Sequence, residues 1–84
     1  MLHIIAAKYL ADYKISVAFD DGSHSVADFE RVVKDDHRPI VRQLSSPDLF
    51  RDFKVQAHTI VWSNSVDFAP EFIKELTPST LFRG

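Results

Sequence analysis

An alternating run that ends in a turn restricts this chain more than any other feature. Ile15, Val17 and Phe19 alternate with Lys14, Ser16, Ala18 and Asp20, the period of two required of a strand with one buried face. Asp21-Gly22 follows directly, and glycine's tolerance of positive φ suits a two-residue type I′ turn. The spacing predicts an antiparallel return over residues 23 to 28, with Phe19 opposite His24 and Val17 opposite Val26.

Upstream, Leu2 to Ala11 is almost wholly apolar apart from His3, Lys8 and Tyr9, which predicts a strand covered on much of both faces. Asp12 breaks the apolar run, so the first two strands and the return strand are expected to form a three-stranded meander. Asp28 can then cap a short helix whose stripe is Phe29, Val32 and Val33, ended by Asp35-Asp36-His37-Arg38-Pro39. Ser46-Pro47 opens one or two further helical turns. Residues 55 to 62, from Val55 to Trp62, read as a strand increasingly buried toward its end. Pro70 opens the last helix, in which Phe68 reaches Phe72 while Ile73 and Leu76 face the sheet, and Thr77-Pro78 closes it. Residues 79–84 are expected to fray, with Leu81 and Phe82 available to dock on the core or on another chain. The fold class is therefore α+β: an antiparallel sheet of about four strands, a C-terminal helix, and one or two short helices, in a single domain over residues 1–84.

The 84 residues allow one core, because a chain of this size buries only about 60 to 65% of its unfolded surface. With no cysteine, that core has no disulfide and no thiolate metal site to help it, which suits a reducing cytoplasm. The first residues lack the basic start and cleavage site of a signal peptide, and no apolar run approaches the length that spans a bilayer. Ten Lys and Arg against twelve Asp and Glu argue against a surface that tracks phosphates, so nucleic acid is not the expected partner.

Catalytic and cofactor patterns are missing from the order of residues. Asp35, Asp36 and His37 are consecutive and point apart, without the spacing of a metal site. Ser45, Ser46, Ser63 and Ser65 lack a nucleophile elbow, and Gly22 and Gly84 alone cannot build a phosphate loop. His3, His24 and His58 are dispersed, with His24 placed beside Phe19 by the register above. Arg31, Lys34, His37, Arg38 and Arg42 form the one basic concentration, interrupted by Asp35 and Asp36, and read as a solvated face. The expectation is a protein that is not an enzyme, with no cofactor and no metal.

Thr59 to Glu71 joins a buried-looking strand, the only Trp, a polar turn and a helix start. Trp62 reads as core, Asn64 as a residue able to hold a left-handed turn, and Asp67 as an acceptor for the free amides near the helix start, where Glu71 also suits the dipole. Together with Asp21-Gly22, Asp28-Phe29, Leu44 and Leu49-Phe50, this segment is similar in order and spacing to the domain of unknown function 2442 family (DUF2442) over nearly the whole chain. The resemblance rests on Asp21, Gly22, Asp28, Trp62, Asn64, Asp67, Pro70 and Glu71. The chain departs from it at Ser65, where Gly is usual, at Ser63, where Pro is frequent, and at Ala27, where a branched aliphatic is common.

The resemblance implies an α+β domain, mostly bacterial, without assigned catalytic residues. Such proteins occur beside another small gene in a toxin-antitoxin-like arrangement or joined to a helix-turn-helix domain. The leading expectation is a protein-interaction module, either the partner of a neighbouring small protein or a self-associating subunit. The alternatives are a nucleic-acid-associated component of a transcriptional regulator, and a small ligand binder or enzyme.

Overall fold

The computed structural model describes residues 1–78, so Leu81, Phe82 and the expected frayed end at residues 79–84 lie outside the described residues. The fold is α+β, with a three-stranded and a two-stranded antiparallel sheet and several short helices. The first sheet is the meander β1 (Ile4–Ala11), β2 (Lys14–Phe19) and β3 (His24–Asp28), in that order. Helices α1 (Glu30–Asp35), α2 (Pro39–Arg42) and α3 (Pro47–Phe50) follow, with a single 3₁₀ turn over Gln43–Ser45 between the last two. The second sheet pairs β4 (Phe53–Gln56) with β5 (Thr59–Trp62), and α4 (Pro70–Glu75) comes last.

Two kinds of turn recur in the same order in both sheets. β1 and β2 are joined by Asp12 and Tyr13, at φ 53° and 65°, and β4 and β5 by Ala57 and His58, at φ 52° and 70°. Two consecutive left-handed residues are the type I′ solution for a two-residue hairpin, reached here without a glycine. Each meander then continues through a three-residue loop. In the first, Gly22 N–H donates to Phe19 C=O at 3.1 Å and Phe19 N–H to Ser23 C=O at 2.8 Å, with Gly22 at φ 88°. In the second, Ser65 N–H donates to Trp62 C=O at 2.9 Å and Trp62 N–H to Val66 C=O at 2.9 Å, with Ser65 at φ 73°.

The first of these loops corrects the expected hairpin. Asp21-Gly22 does not form a two-residue turn; the loop takes in Asp20 as well, and the register moves by one residue. Val17 lies opposite Ser25, Ile15 opposite Ala27, and His24 opposite Ala18 rather than beside Phe19. A one-residue slip exchanges the faces of the returning strand, so Ala27 enters the core while Val26 stays half-buried.

Two further expectations change. β1 is not covered on both faces: bulges between Ile4 and Ala6 and between Tyr9 and Ala11 accompany the exposure of Ile5 and Leu10. The run from Val55 to Trp62 is a hairpin and not one strand, with Gln56 pairing with Thr59 across Ala57-His58.

The core brings both sheets against one aromatic cluster. Ile4, Ile15, Val17 and Phe19 come from the first sheet, Val33, Val41 and Leu44 from the helical segment, and Ile60 and Trp62 from β5. Trp62 lies 5.5 Å from Phe29, 5.6 Å from Phe50 and 5.8 Å from Phe68 between ring centroids, with tilted and edge-to-face contacts of the kind that add to apolar burial. Tyr13 shows how left-handed strain is held: its ring stands edge-on to Phe50, its hydroxyl donates to Ser45 C=O, and its own C=O accepts from Phe29 N–H at 2.8 Å.

Candidate functional site

The segment from β5 to α4 gathers most of the distinctive residues, and each has a definite place. Trp62 is buried, and its indole N–H donates to Phe50 C=O at 2.7 Å. This satisfies both groups inside an apolar core, where an unpaired carbonyl would be costly. Thr59, whose role is not visible in the sequence, donates its hydroxyl to Phe68 C=O at 2.7 Å and fastens the start of β5 to the strand-like return. Val61 and Asp67 make an antiparallel bridge, so residues 66 to 68 run back along β5 before the chain turns into α4.

Asn64 and Asp21 hold corresponding places in the two three-residue loops. Asn64 Oδ1 accepts from Val66 N–H at 3.2 Å, as Asp21 Oδ1 accepts from Ser23 N–H at 2.9 Å. Both are side chains closing a turn on the amide two residues ahead. The left-handed residue of the loop is Ser65, not Asn64 as expected, and it occupies the position that Gly22 fills in the first loop. The amide of Asn64 instead reaches Ile40 C=O at 3.2 Å and Gln43 Oε1 at 3.0 Å, tying the loop to α2 and the 3₁₀ turn.

Around α4, Pro70 begins the helix and Glu71 lies in its first turn, but the N-cap is Ala69 and no side-chain cap bond is present. Asp67 is therefore not the expected amide acceptor; it is exposed, and its backbone serves the bridge to Val61. The Glu71 carboxylate accepts from Leu2 N–H at 3.3 Å. Phe68 meets Phe72 at 5.3 Å between centroids, and Ile73 is buried as expected. Asp28 accepts from Glu30 N–H at 3.0 Å just ahead of α1.

Electrostatics across these residues is local. The Ser23 hydroxyl and amide and the Lys74 ammonium hold the Asp21 carboxyl down to about 2. Arg38 donates its guanidinium and its backbone N–H to Asp36, which likewise lies at about 2. Lys34 is paired with Glu30 at 2.8 Å and is shifted upward by that contact. Two of the five residues in the basic segment are thus neutralised by their neighbours, which weakens any common phosphate surface.

The structure gathers some of the chemistry-bearing residues and separates others. Asp36 is committed to Arg38, and no group of three His, Asp or Glu that could hold a metal occurs among the described residues. A groove of about 420 Å³ lies along the β4–β5 hairpin, lined by Asp52, Lys54, Gln56, Trp62, Ser63 and Ser65. Of the Trp62, Asn64, Asp67 and Glu71 set, only Trp62 borders it. The histidines are not all dispersed: His3 and His58 stack at 4.1 Å, a meeting that their distance in sequence conceals. Among the described residues, no helix is long and apolar enough to cross a membrane.

No curated protein and no solved structure matches the chain. Residues 4–79 match the family described as protein of unknown function (DUF2442), nearly the full length of the sequence, and the chain belongs to that family.

Proposed function

We propose that this domain is a protein-interaction module that receives its partner as an added strand along β1, the first such partner being a second copy of itself. The observation that carries the reading is the character of β1. It stands at the end of its sheet, runs for eight residues, and leaves Ile5 63% and Leu10 46% exposed. Beyond Ile4, whose N–H is taken by His58 C=O, an end strand of this length offers unpaired backbone groups, and large apolar side chains on it favour pairing over solvation. A two-fold axis between Ala7 and Lys8 would set Ile5 of one copy against Leu10 of the other, twice over, as a closed dimer requires.

The residues around Trp62 then serve the fold: Trp62 anchors the hairpin in the core, Asn64 ties its loop to the helical segment, and Pro70 with Glu71 starts the covering helix. Their separation along β5, the loop and α4 supports this division of labour. Light scattering of the full chain tests the reading. A dimer at high micromolar concentration that Ile5→Lys and Leu10→Lys each convert to a monomer of unchanged circular dichroism is the expected result. A monomeric wild type, with no partner recovered on pull-down, overturns it.

A further inference from the structure

Among the described residues, one direct backbone hydrogen bond joins the β1–β3 sheet to the β4–β5 hairpin, from Ile4 N–H to His58 C=O at 2.9 Å. The imidazoles of His3 and His58 stack beside it, with centroids 4.1 Å apart and planes 24° from parallel. His58 sits in the left-handed turn of the hairpin, and His3 is clamped to the β2–β3 loop. In that clamp, Asp20 N–H donates to His3 C=O at 2.9 Å, His3 N–H to Asp20 Oδ1 at 3.0 Å, and His3 Nδ1 lies 3.7 Å from Asp20 Oδ2.

We propose that His3 and His58 form a proton-sensitive latch, which holds the hairpin tip against β1 while at most one ring is charged and releases it when both are. Imidazole is the side chain whose charge ordinarily changes between pH 5 and 8. One proton on the pair faces the Asp20 carboxylate. A second places two cations at stacking distance, and among the described residues no carboxylate is paired with His58: that of Asp20 faces His3, that of Asp21 is paired with Lys74, and that of Glu71, still charged, lies against Leu2 N–H. On the hairpin side, the neighbours Gln56, Ala57 and Thr59 do not titrate, and along β1 the first charged residue is Lys8.

The test is an NMR titration of the full chain from pH 8 to 4.5, following the imidazole C–H signals and the exchange protection of the Ile4 amide. His3→Gln and His58→Asn serve as variants, the second because asparagine accepts the left-handed conformation of the turn. In the wild type the pair is expected to take up its second proton at least tenfold more weakly than its first, with Ile4 losing at least tenfold in protection over that second step. In each variant the remaining ring titrates in a single step. Independent single steps for both rings, unmoved by replacement of the other, overturn the latch, as does Ile4 protection that stays constant to pH 4.5. Should a variant fail to fold, the wild-type titration and the Ile4 amide decide alone.

Discussion

Ser65→Gly should stabilise the domain, and the size of the gain follows from the loop. Ser65 is exposed and sits at φ 73°, in the place where the matching loop of the first meander has Gly22 at φ 88°. A left-handed conformation costs an L-residue about 1 to 2 kcal/mol, because Cβ crowds the following carbonyl. Glycine removes that cost but brings a looser unfolded chain, which returns about 0.5 to 1 kcal/mol. The backbone bonds from Ser65 to Trp62 and from Trp62 to Val66 do not involve the side chain and should survive. Taking the middle of each range, the net gain is about 0.8 kcal/mol. For a small domain with a urea slope of about 1 kcal/mol/M, this moves the unfolding midpoint upward by about 0.8 M. Ser65→Ala is the control, since it removes the hydroxyl and keeps Cβ, and it should give no gain. A glycine variant no more stable than the alanine variant would refute the reasoning.

Other outcomes follow from the core and the carboxylates. Trp62→Phe removes the indole donor and leaves Phe50 C=O unpaired beside a partial cavity, a loss of about 2 to 4 kcal/mol, to be read by circular dichroism in urea because the only Trp is gone. Against a total of about 4 to 12 kcal/mol for a chain of this size, that leaves a marginal fold. Ala27→Val, at a fully buried position across from Ile15, should cost about 1 to 3 kcal/mol by overpacking; a variant of wild-type midpoint would mean that the core has room there. Asp21 and Asp36 have folded-state values near 2 against an ordinary 3.8, so both favour the folded state above pH 3.8, and that contribution fades as pH falls through about 2. Urea midpoints measured between pH 5 and 2 should fall less steeply in Asp36→Asn than in the wild type.

The sequence makes visible what depends on local order. The alternation of Ile15, Val17 and Phe19, the helix begun by Pro70 and the contact of Phe68, just ahead of that helix, with Phe72 all follow from short-range spacing. The hairpin register escapes it because Asp-Gly suits both a two-residue turn and the last two positions of a three-residue loop. Ala57-His58 gives no turn signal, because alanine rarely occupies the left-handed region and histidine, though enriched there, is not one of the Asn, Asp or Gly residues that mark a hairpin turn; the contacts of His58 with His3 and Ile4 come from elsewhere in the chain. Pro39 reads as a helix breaker, yet it also suits a first helical position, and it opens α2. Around Trp62, burial is legible from the apolar run, whereas the Asn64 bonds to Ile40 and Gln43 and the stacking of His3 on His58 join residues far apart in the chain.

The proposed structural role of the β5-to-α4 segment is tested most directly by hydrogen exchange of the Trp62 indole N–H. If that group is sealed against Phe50 C=O in the core, it should exchange only through global unfolding, with an opening free energy equal to that from urea denaturation. Exchange at nearly the rate of a free indole, from a protein still folded by circular dichroism, would place the ring in contact with water and contradict the account.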